Sequence, residues 1–267
     1  MRLHGKRALI TGGSDGIGLA IAEAFLREGA DVLIVGRDAG KLEAARQKLT
    51  ASGPVGTVET LSADLATSPG IAAAVEHAKA SGRPLDVLVN NAGVAYLVPF
   101  ETVSEAQFQH SFALNVSAAF FLTQGLLQHF GTGASVINIS SYFADKMIPK
   151  RPSSLYSLSK GALNSLTKSL AFELGPRGIR VNGISAGPVR TLAGAGISDA
   201  RHMFSYQQRN SPLRRTVTID EVGGSALYLL SDLASGVTGE IHYVDSGYHI
   251  VSMPALDELK QTDGGGD

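Results

Sequence analysis

The glycine-rich segment Thr11–Gly18 constrains the fold more than any other part of the chain. It reads Thr-Gly-Gly-Ser-Asp-Gly-Ile-Gly and follows the short β-prone run Ala8–Ile10. A helix-period stretch from Ile17 to Glu28 comes next, ends at Gly29 and is followed by a second β-prone run, Asp31–Val35. A strand, a tight turn, a helix and a second strand form a βαβ unit, in which the two strands are parallel.

The same alternation continues along the chain. Further strand signals occur at Leu85–Asn90, Ser135–Ser140, Ile179–Ile184 and Glu240–Val244, with amphipathic segments between them. Strands that alternate with helices predict an α/β fold with a parallel, doubly wound sheet and helices on both faces. Ligands of such sheets bind at the carboxyl ends of the strands.

Length and composition predict one domain. The chain has 267 residues without a composition break before its end, so we expect a single domain over residues 1–254. The following residues, 255–267, form a polar tail that finishes in Gly-Gly-Gly-Asp, and we expect its end to be disordered.

Charge and cysteine content exclude several classes of function. With 23 basic and 24 acidic residues the net charge is −1, so no overall field favours nucleic acid or a membrane surface. The absence of cysteine excludes disulfides and thiolate chemistry, and the seven histidines lack metal-ligand spacing, so we expect no metal. No run reaches the roughly 18 apolar residues of a membrane helix. The first residues lack a secretory signal pattern, so we expect a cytoplasmic protein whose partners are small molecules.

The glycine-rich segment predicts a dinucleotide site. Its glycines permit a tight turn and let backbone N–H groups approach a pyrophosphate, which the N-terminus of the following helix also favours. A plain turn is the alternative, but the strand before and the helix after it favour the functional interpretation. The residues predicted to contact the cofactor here are Gly12, Ser14, Asp15, Gly16, Ile17 and Gly18.

Arg37 bears on the choice of cofactor. At the end of the second strand of such a unit, an acidic residue binds the ribose 2′-hydroxyl of NAD, whereas an arginine accommodates the 2′-phosphate of NADP. Gly36-Arg37 therefore predicts a preference for NADPH, with NAD as the alternative. Asp15 counts against NADPH because its carboxylate would repel a nearby phosphate, and Arg37 could instead be a solvated loop residue paired with Asp38.

Asp64 and Leu65 follow another strand. We predict that Asp64 hydrogen-bonds the adenine amine and that Leu65 lies in the same cofactor-binding segment. The alternative for Asp64 is the N-cap of the next helix.

Tyr156 and Lys160 are the candidate proton-transfer pair. Four residues apart on a helix, they lie on one face, so the ammonium can favour the ionised phenol. A free tyrosine titrates near pH ~10 and is a poor base at neutral pH without such help. An isolated Tyr-x-x-x-Lys pair more often marks an exposed helix face. The catalytic interpretation therefore depends on the residues that accompany the pair.

Those accompanying residues are Asn90-Asn91-Ala92-Gly93 after the strand at Leu85, Asn115 in a helix-like run, and Ser140-Ser141 after the strand that ends at Ile139. With the glycine loop and the Tyr and Lys residues, this order resembles the short-chain dehydrogenase/reductase family over nearly the whole chain. The resemblance implies a Rossmann fold, a homotetramer and cofactor contacts from Asn91, Ala92, Gly93, Tyr156 and Lys160.

The resemblance also implies a catalytic tetrad. In it Ser141 orients the carbonyl, Tyr156 donates the proton, Lys160 holds the nicotinamide ribose and lowers the tyrosine pKa, and Asn115 helps to hold a relay water. The segment from Tyr142 to Leu155 is about two residues longer than the usual family spacing. It contains Lys146, Lys150 and Arg151, which either contact an anionic ligand or, as we prefer, are solvated.

From Asn182 onward the chain resembles a different branch, the bacterial enoyl-acyl-carrier-protein reductases. The matching segments are Ser185–Gly194, Asn210–Thr218 and Gly239–Tyr248. This resemblance implies cofactor contacts from Gly187, Val189 and Thr191 and a substrate lid over about residues 190–212. Gly194 and Gly196 are candidate hinges of the lid. Ile197, Met203, Phe204 and Tyr206 form either an apolar wall for substrate or the packed face of a surface helix.

The catalytic region does not resemble those enoyl reductases. Their active tyrosine stands at the position of Ser153, and a further tyrosine stands at the position of Ser141. The chain is thus a mosaic, by natural recombination or by engineering. We expect reversible ketone reduction and alcohol oxidation, with enoyl-thioester reduction and a non-catalytic dinucleotide sensor as alternatives. The apolar segments Phe112–Leu127 and Leu158–Leu174 either form subunit interfaces or face the core.

Overall fold

A single parallel sheet organises the protein. The computed structural model describes residues 3–146, 152–189 and 200–252. Within them, seven strands form the sheet in the order β3-β2-β1-β4-β5-β6-β7. The strands are β1 Arg7–Thr11, β2 Asp31–Gly36, β3 Val58–Ser62, β4 Leu85–Asn90, β5 Phe130–Ser141, β6 Arg180–Ala186 and β7 Ile241–Val244.

Helices connect the strands. The α-helices in the described part of the chain are α1 Gly16–Arg27, α2 Ala39–Ala51, α3 Ser68–Ala80, α4 Glu105–Phe112, α5 Ala118–Leu126, α6 Ser154–Leu174, α7 Ala200–Asn210 and α8 Ile219–Leu230. A π-helical turn, Ala113–Ser117, joins α4 to α5. None of the helices in these ranges is long and apolar enough to cross a membrane.

Two apolar cores lie on opposite faces of the sheet. Side chains of β1 alternate between them: Ala8 and Ile10 pack with Phe25 of α1 and with α8, whereas Leu9 packs with Leu122 of α5. This alternation follows from the two-residue period of a strand. The predicted α/β fold with helices on both faces of a doubly wound sheet is confirmed.

Most predicted strands lie where expected, and β5 is the exception. It begins at Phe130 rather than Ser135, and its first residues pair with β4 through a register shift between Leu85 and Val87. Gly131 and Gly133 in this stretch carry no strand signal. The extension therefore depends on pairing with β4 and not on local preference.

The strand order creates a crevice between β1 and β4. The chain runs outward from β1 to β3, then returns to β4 on the other side of β1. At such a reversal the loops after neighbouring strands diverge and leave a binding crevice at the carboxyl edge. The expected tail, 255–267, and residues 190–199 of the expected lid lie outside the described residues, whereas residues 200–210 form α7.

Candidate active site

A cleft of about 510 Å³ opens at the carboxyl ends of β1, β4, β5 and β6. It is the crevice expected from the strand order. Twelve residues predicted from the sequence line it: Gly12, Asp15, Gly16, Ile17, Asn91, Ala92, Gly93, Ser141, Tyr156, Lys160, Gly187 and Val189.

Close packing shapes the glycine loop at one end of the cleft. A Cβ on Gly18 would lie 2.3 Å from the carbonyl oxygen of Gly12, and Gly12 itself has a φ of +65°. The amide of Asn91 donates to the carbonyls of Thr11 at 2.9 Å and Gly12 at 3.1 Å, which ties the end of β4 to the loop. Glycine is therefore required at both positions, and the exposed loop backbone suits a pyrophosphate.

Asp15 lies at the N-terminus of α1 and lines the cleft. Its carboxylate accepts a hydrogen bond of 2.7 Å from the backbone N–H of Gly16. The side chain therefore does not point away from the site, and a bound phosphate would share this helix N-terminus with a carboxylate.

Ser14 and Arg37 lie at the edge of the site, outside the cleft lining. The Ser14 Oγ would be 3.6 Å from a Cβ built on Gly36, so the glycine loop and the end of β2 are adjacent. The Arg37 side chain is exposed, while its carbonyl accepts a 2.9 Å hydrogen bond from Ser62 Oγ. Arg37 is thus an exposed residue that directly follows Gly36, the neighbour of Ser14.

Asp64 and Leu65 do not line the cleft either. Asp64 is exposed, and its carboxylate accepts a hydrogen bond of 3.1 Å from the N–H of Ala66. Thr67 is the N-cap of α3, so the alternative in which Asp64 caps this helix is wrong. The side chain of Leu65 is 2 % exposed and belongs to the core, which leaves only its backbone for a cofactor.

Ser141 and Tyr156 meet inside the cleft. Ser141 ends β5, Tyr156 lies in the first turn of α6, and both line the cleft. Burial raises the pKa of Tyr156 above its usual range, an effect that the hydrogen bond with Ser141 only partly offsets. The pKa of Tyr156 thus moves in the direction opposite to the lowering expected from Lys160, and the phenol is protonated at neutral pH.

Lys160 is buried behind the tyrosine. Its ammonium donates a 2.7 Å hydrogen bond to the carbonyl of Ile139 and lies 5.9 Å from the ring centre of Tyr156. Burial lowers the pKa of Lys160 to about 8. At 4 % exposure this residue is not part of a solvated helix face, so that alternative for the Tyr-Lys pair is wrong.

Asn115 lies in the π-helical turn and outside the cleft lining. Its amide nitrogen donates to the carbonyl of Val94 and to Ser159 Oγ, both at 2.9 Å, and its Oδ1 accepts from the N–H of Val94 at 2.8 Å. The side chain thus joins the segment after β4 to α6. A Cβ on Gly93 would be 3.1 Å from Asn115 Oδ1 and 3.5 Å from Lys160 Nζ, so these groups are neighbours.

Gly187 and Val189 follow β6 and line the opposite wall. A Cβ on Gly187 would lie 2.7 Å from Gln207 Nε2 and 2.9 Å from Asp245 Cα, so glycine lets α7 and the turn after β7 approach. Thr191, Gly194, Gly196 and Ile197 lie outside the described residues, as does the side chain of Met203. Phe204 and Tyr206 are half-buried.

Sequence reasoning missed an aromatic cluster beside the catalytic pair. Tyr142, Phe143 and Tyr248 are buried together, with Tyr156 and Tyr206 packed against them. Tyr142 and Phe143 line the cleft. Tyr142 and Phe143 directly follow the strand that ends at Ser141, so their place beside the cleft could have been predicted. Tyr248 lies about a hundred residues later, and nothing in the sequence indicates that it joins them.

Lys146 also differs from its expected solvated state. Its ammonium donates to the backbone carbonyls of Tyr248 at 3.1 Å, His249 at 3.3 Å and Val251. Lys146 is therefore half-buried, and its ammonium binds backbone carbonyls. Lys150 and Arg151 lie outside the described residues.

Comparison with known proteins places this site in a family. Residues 12–249 match the family model described as Enoyl-(Acyl carrier protein) reductase. The chain is 39 % identical over 267 residues to Enoyl-[acyl-carrier-protein] reductase [NADH] 2 of Rhizobium meliloti, with 98 % of each chain covered. It is 34 % identical to Carbonyl reductase [NADPH] 2 of Sus scrofa, covering 93 % of this chain and 98 % of the relative.

A solved structure has the same fold and a bound dinucleotide. A short-chain dehydrogenase from Burkholderia cenocepacia in complex with NADP superimposes with a TM-score of 0.85 at 32 % identity, covering 93 % of this chain and 99 % of that one. Together with the glycine loop and the cleft, these matches confirm the resemblance seen in the sequence. The chain belongs to the short-chain dehydrogenase/reductase family and is an NAD(P)-dependent oxidoreductase.

Proposed function

We propose that the protein is a carbonyl reductase that interconverts a ketone and a secondary alcohol, with Tyr156 as the acid and base. The observation that carries this proposal is that Ser141 and Tyr156 line one cleft together with Lys160. Two hydroxyls in one cleft can both donate to a single carbonyl oxygen, which polarises the carbonyl and stabilises negative charge on the oxygen.

The fit of a dinucleotide to the cleft supports this chemistry. The backbone of Gly12, Gly16 and Ile17 would hold the pyrophosphate at the N-terminus of α1, and Lys160, Gly187 and Val189 would hold the nicotinamide half. When bound, the reduced nicotinamide supplies the hydride.

Proton transfer is the task of the protein itself. Tyr156, kept protonated by burial, donates its proton to the carbonyl oxygen, and Ser141 orients that oxygen. Asn115 acts through Val94 and Ser159, whose positions it fixes beside Lys160. A relay water near Asn115 remains part of the proposal.

NADPH is the proposed cofactor. The support is Arg37, an exposed residue directly after β2, at the position where an arginine accommodates the adenosine 2′-phosphate of NADP. The name of the Sus scrofa relative and the NADP complex from Burkholderia agree with this choice. Asp15 and the NADH named for the Rhizobium relative favour the alternative, NADH.

Enoyl-thioester reduction is the second candidate. The family-model description and the Rhizobium relative favour it. The residue that stands where those enzymes carry their active tyrosine is Ser153, a buried side chain at the N-cap of α6, and it cannot act as a phenol. The ketone reaction is therefore ranked first.

One experiment separates the candidates and tests the role of Tyr156. Purified protein is incubated with an acetoacetyl thioester, acetophenone or a crotonyl thioester, each with NADPH and with NADH, and cofactor oxidation is followed. We expect turnover of a ketone, and a loss of about 10²- to 10⁴-fold in Tyr156→Phe with NADPH binding retained. Oxidation with the crotonyl thioester alone would reverse the ranking, and full activity of Tyr156→Phe would refute the assignment.

A homotetramer is the proposed assembly. Large apolar side chains are exposed on α5 and α6, where the sequence left a choice between interface and core. Four of them are Phe120, Phe121, Leu158 and Phe172. Both helices pack into the same core, and exposed apolar side chains on them favour contact with further copies of the chain.

A further inference from the structure

Lys146 connects two distant parts of the chain beside the active site. It lies five residues after Ser141, at the end of the segment that carries Tyr142 and Phe143. Its ammonium binds carbonyls of the turn after β7, at Tyr248, His249 and Val251. It also lies 4.9 Å from the ring centre of Tyr248, over the ring face. One cation therefore holds several groups of the C-terminal turn at once.

Tyr248 transmits this contact to the cleft. Its ring is 3 % exposed and meets Tyr142 edge-to-face at 5.9 Å between ring centres. Tyr142 packs on Phe143 at 4.6 Å, and Phe143 meets Tyr156 at 5.9 Å. A continuous series of aromatic contacts thus runs from Lys146 to the side of the proton donor, and Tyr142 and Phe143 are the members that line the cleft.

Other contacts also support the C-terminal turn: His249 stacks on Tyr243 at 4.1 Å between ring centres, and Tyr243 Oη donates a 2.7 Å hydrogen bond to the carboxylate of Asp145. The buried carboxylate of Asp245 accepts from the N–H groups of Gly247 and His249 and so shapes the turn internally. Tyr206 of α7 meets the Tyr248 ring at 6.3 Å from another side. Lys146 binds the backbone of this turn directly, whereas its neighbour Asp145 reaches the turn only through Tyr243. Partial burial lowers the pKa of Lys146, and the nearby carboxylate of Asp245 opposes that change.

We propose that Lys146 is a positioning residue that determines substrate affinity: by holding the 248–251 turn, it fixes Tyr248 against Tyr142 and Phe143, the aromatic wall of the cleft beside Tyr156. The wall is uncharged, and Val94, Ala95 and Leu97 line the same cleft. The matching substrate is an uncharged ketone with an aromatic or apolar group. The substrate part of this proposal rests on the proposed carbonyl reductase function.

Steady-state kinetics with acetophenone and NADPH test the proposal. Lys146→Met should raise KM for acetophenone about 10-fold, while kcat and the KM for NADPH change by less than about twofold. Lys146→Arg keeps the charge and the donors, so it should restore KM to within about threefold. The matched control is Lys48→Met, an exposed lysine of α2, which should leave all three constants unchanged.

A double-mutant cycle with Tyr248→Leu tests the route of the effect. If Lys146 acts through Tyr248, the double variant should raise KM no more than the larger single effect, because both changes release the same wall. If the two single effects on KM instead multiply in the double variant, the residues act independently and the proposal is overturned. Equal losses in kcat and in NADPH affinity would also overturn it. Lys146→Gln, which removes the charge with a smaller change in polarity, repeats the measurement if Lys146→Met does not fold.

Hydrogen exchange separates this proposal from the proposed function. In Lys146→Met, the amides of residues 248–251 and of Phe143 should exchange at least about 10-fold faster than in the unmodified chain, whether or not any ketone is reduced. Unchanged exchange in both segments would refute the positioning role even in an active enzyme. Faster exchange in a protein that reduces no ketone would support the positioning role and refute only the reductase assignment.

Discussion

Burial has opposite effects on the acidity of Tyr156 and Lys160. It disfavours the charged form of each group, so it raises the pKa of the phenol and lowers that of the ammonium to about 8. Without cofactor, the tyrosine is therefore a proton donor at neutral pH, and the lysine is close to losing its charge. Without cofactor, the raised pKa of Tyr156 thus favours proton donation over proton abstraction.

The lysine makes cofactor use depend on pH. Because Lys160 carries its charge below about pH 8 and loses it above, kcat/KM for NADPH at saturating ketone should fall with one deprotonation above about pH 8. Between about pH 8 and the usual pKa of 10.5, the unfolded chain binds this proton and the folded chain does not, so the contribution of Lys160 to stability rises with pH. A parallel thermal unfolding series should therefore exclude unfolding as the cause, and a constant kcat/KM up to pH 10 would contradict the prediction.

Arg37 should decide between the two dinucleotides. Replacement by alanine removes the guanidinium at the end of β2, and charge-assisted hydrogen bonds to phosphate contribute about 1.5–3 kcal/mol, so KM for NADPH should rise about 10- to 100-fold. KM for NADH should not change, since NADH lacks the 2′-phosphate. Arg27→Ala, at an exposed arginine in the last turn of α1, is the control. Equal effects on both cofactors would show that Arg37 does not contact that phosphate.

Residue type and spacing predicted which groups gather at the cleft, but not where every side chain points. Gly12, Ser141, Tyr156 and Lys160 line it because parallel strands and the helix period bring them to one edge. Leu65 was assigned to the cofactor site through its neighbour Asp64, yet its side chain is in the core. Direction within a loop depends on packing against distant elements, which local sequence does not encode.

At the scale of elements, the packing of α1 against α8 depends on one of two consecutive glycines. A Cβ on Gly223 would lie 3.2 Å from the carbonyl oxygen of Ala20 in α1, whereas a Cβ on Gly224 would meet nothing within 4 Å. The two glycines are consecutive in one helix and differ in their contact with α1. Substitutions at both positions therefore distinguish helix propensity from packing between the helices.

Alanine substitution should therefore have opposite effects at these positions. Gly224→Ala should raise the free energy of unfolding by about 0.5–1 kcal/mol through helix propensity. Gly223→Ala gains the same propensity but overpacks the helix contact, which costs about 1–3 kcal/mol, so it should lower the free energy of unfolding by about 1 kcal/mol. Urea denaturation measures both, and equal changes would show that the helices adjust freely.

The elements were more predictable than their irregularities. Strands such as Asp31–Gly36 follow from short β-prone runs between turn residues. The π-helical turn Ala113–Ser117 carries no breaker, so the sequence indicates only a continuous helix. Such turns insert one residue into a helix and occur often at functional sites. Here the turn contains Asn115, whose side chain spans from Val94 to Ser159.

At the scale of the whole molecule, assembly should depend on the exposed apolar face of α5 and α6. Phe172 is 85 % exposed on α6, and Phe100, at 80 %, lies on a short turn before α4. We expect the protein to sediment as a tetramer, Phe172→Glu to sediment as smaller species, and Phe100→Glu to remain tetrameric, because only the first charge enters the proposed interface. A tetramer in Phe172→Glu would exclude this face.

The sheet and its crevice could be predicted for the whole molecule, because right-handed crossovers and alternating elements leave few topologies. The contact between the segment after Ser141 and the turn after β7 could not. It joins residues about a hundred positions apart, and no sequence motif predicts that Lys146 and Tyr248 are in contact. Long-range loop contacts of this kind depend on the finished fold.

The contact between Lys146 and the C-terminal turn limits which recombinants between related chains can be active. A crossover after β6 would replace the part of the chain that contains Tyr248 and would leave behind the lysine that binds its turn. A productive exchange would have to carry a compatible cation on the other side of the junction. Segment swaps between relatives should therefore give active enzymes when residues 146 and 248 come from the same parent. Directed evolution of substrate range should select paired substitutions at these two positions.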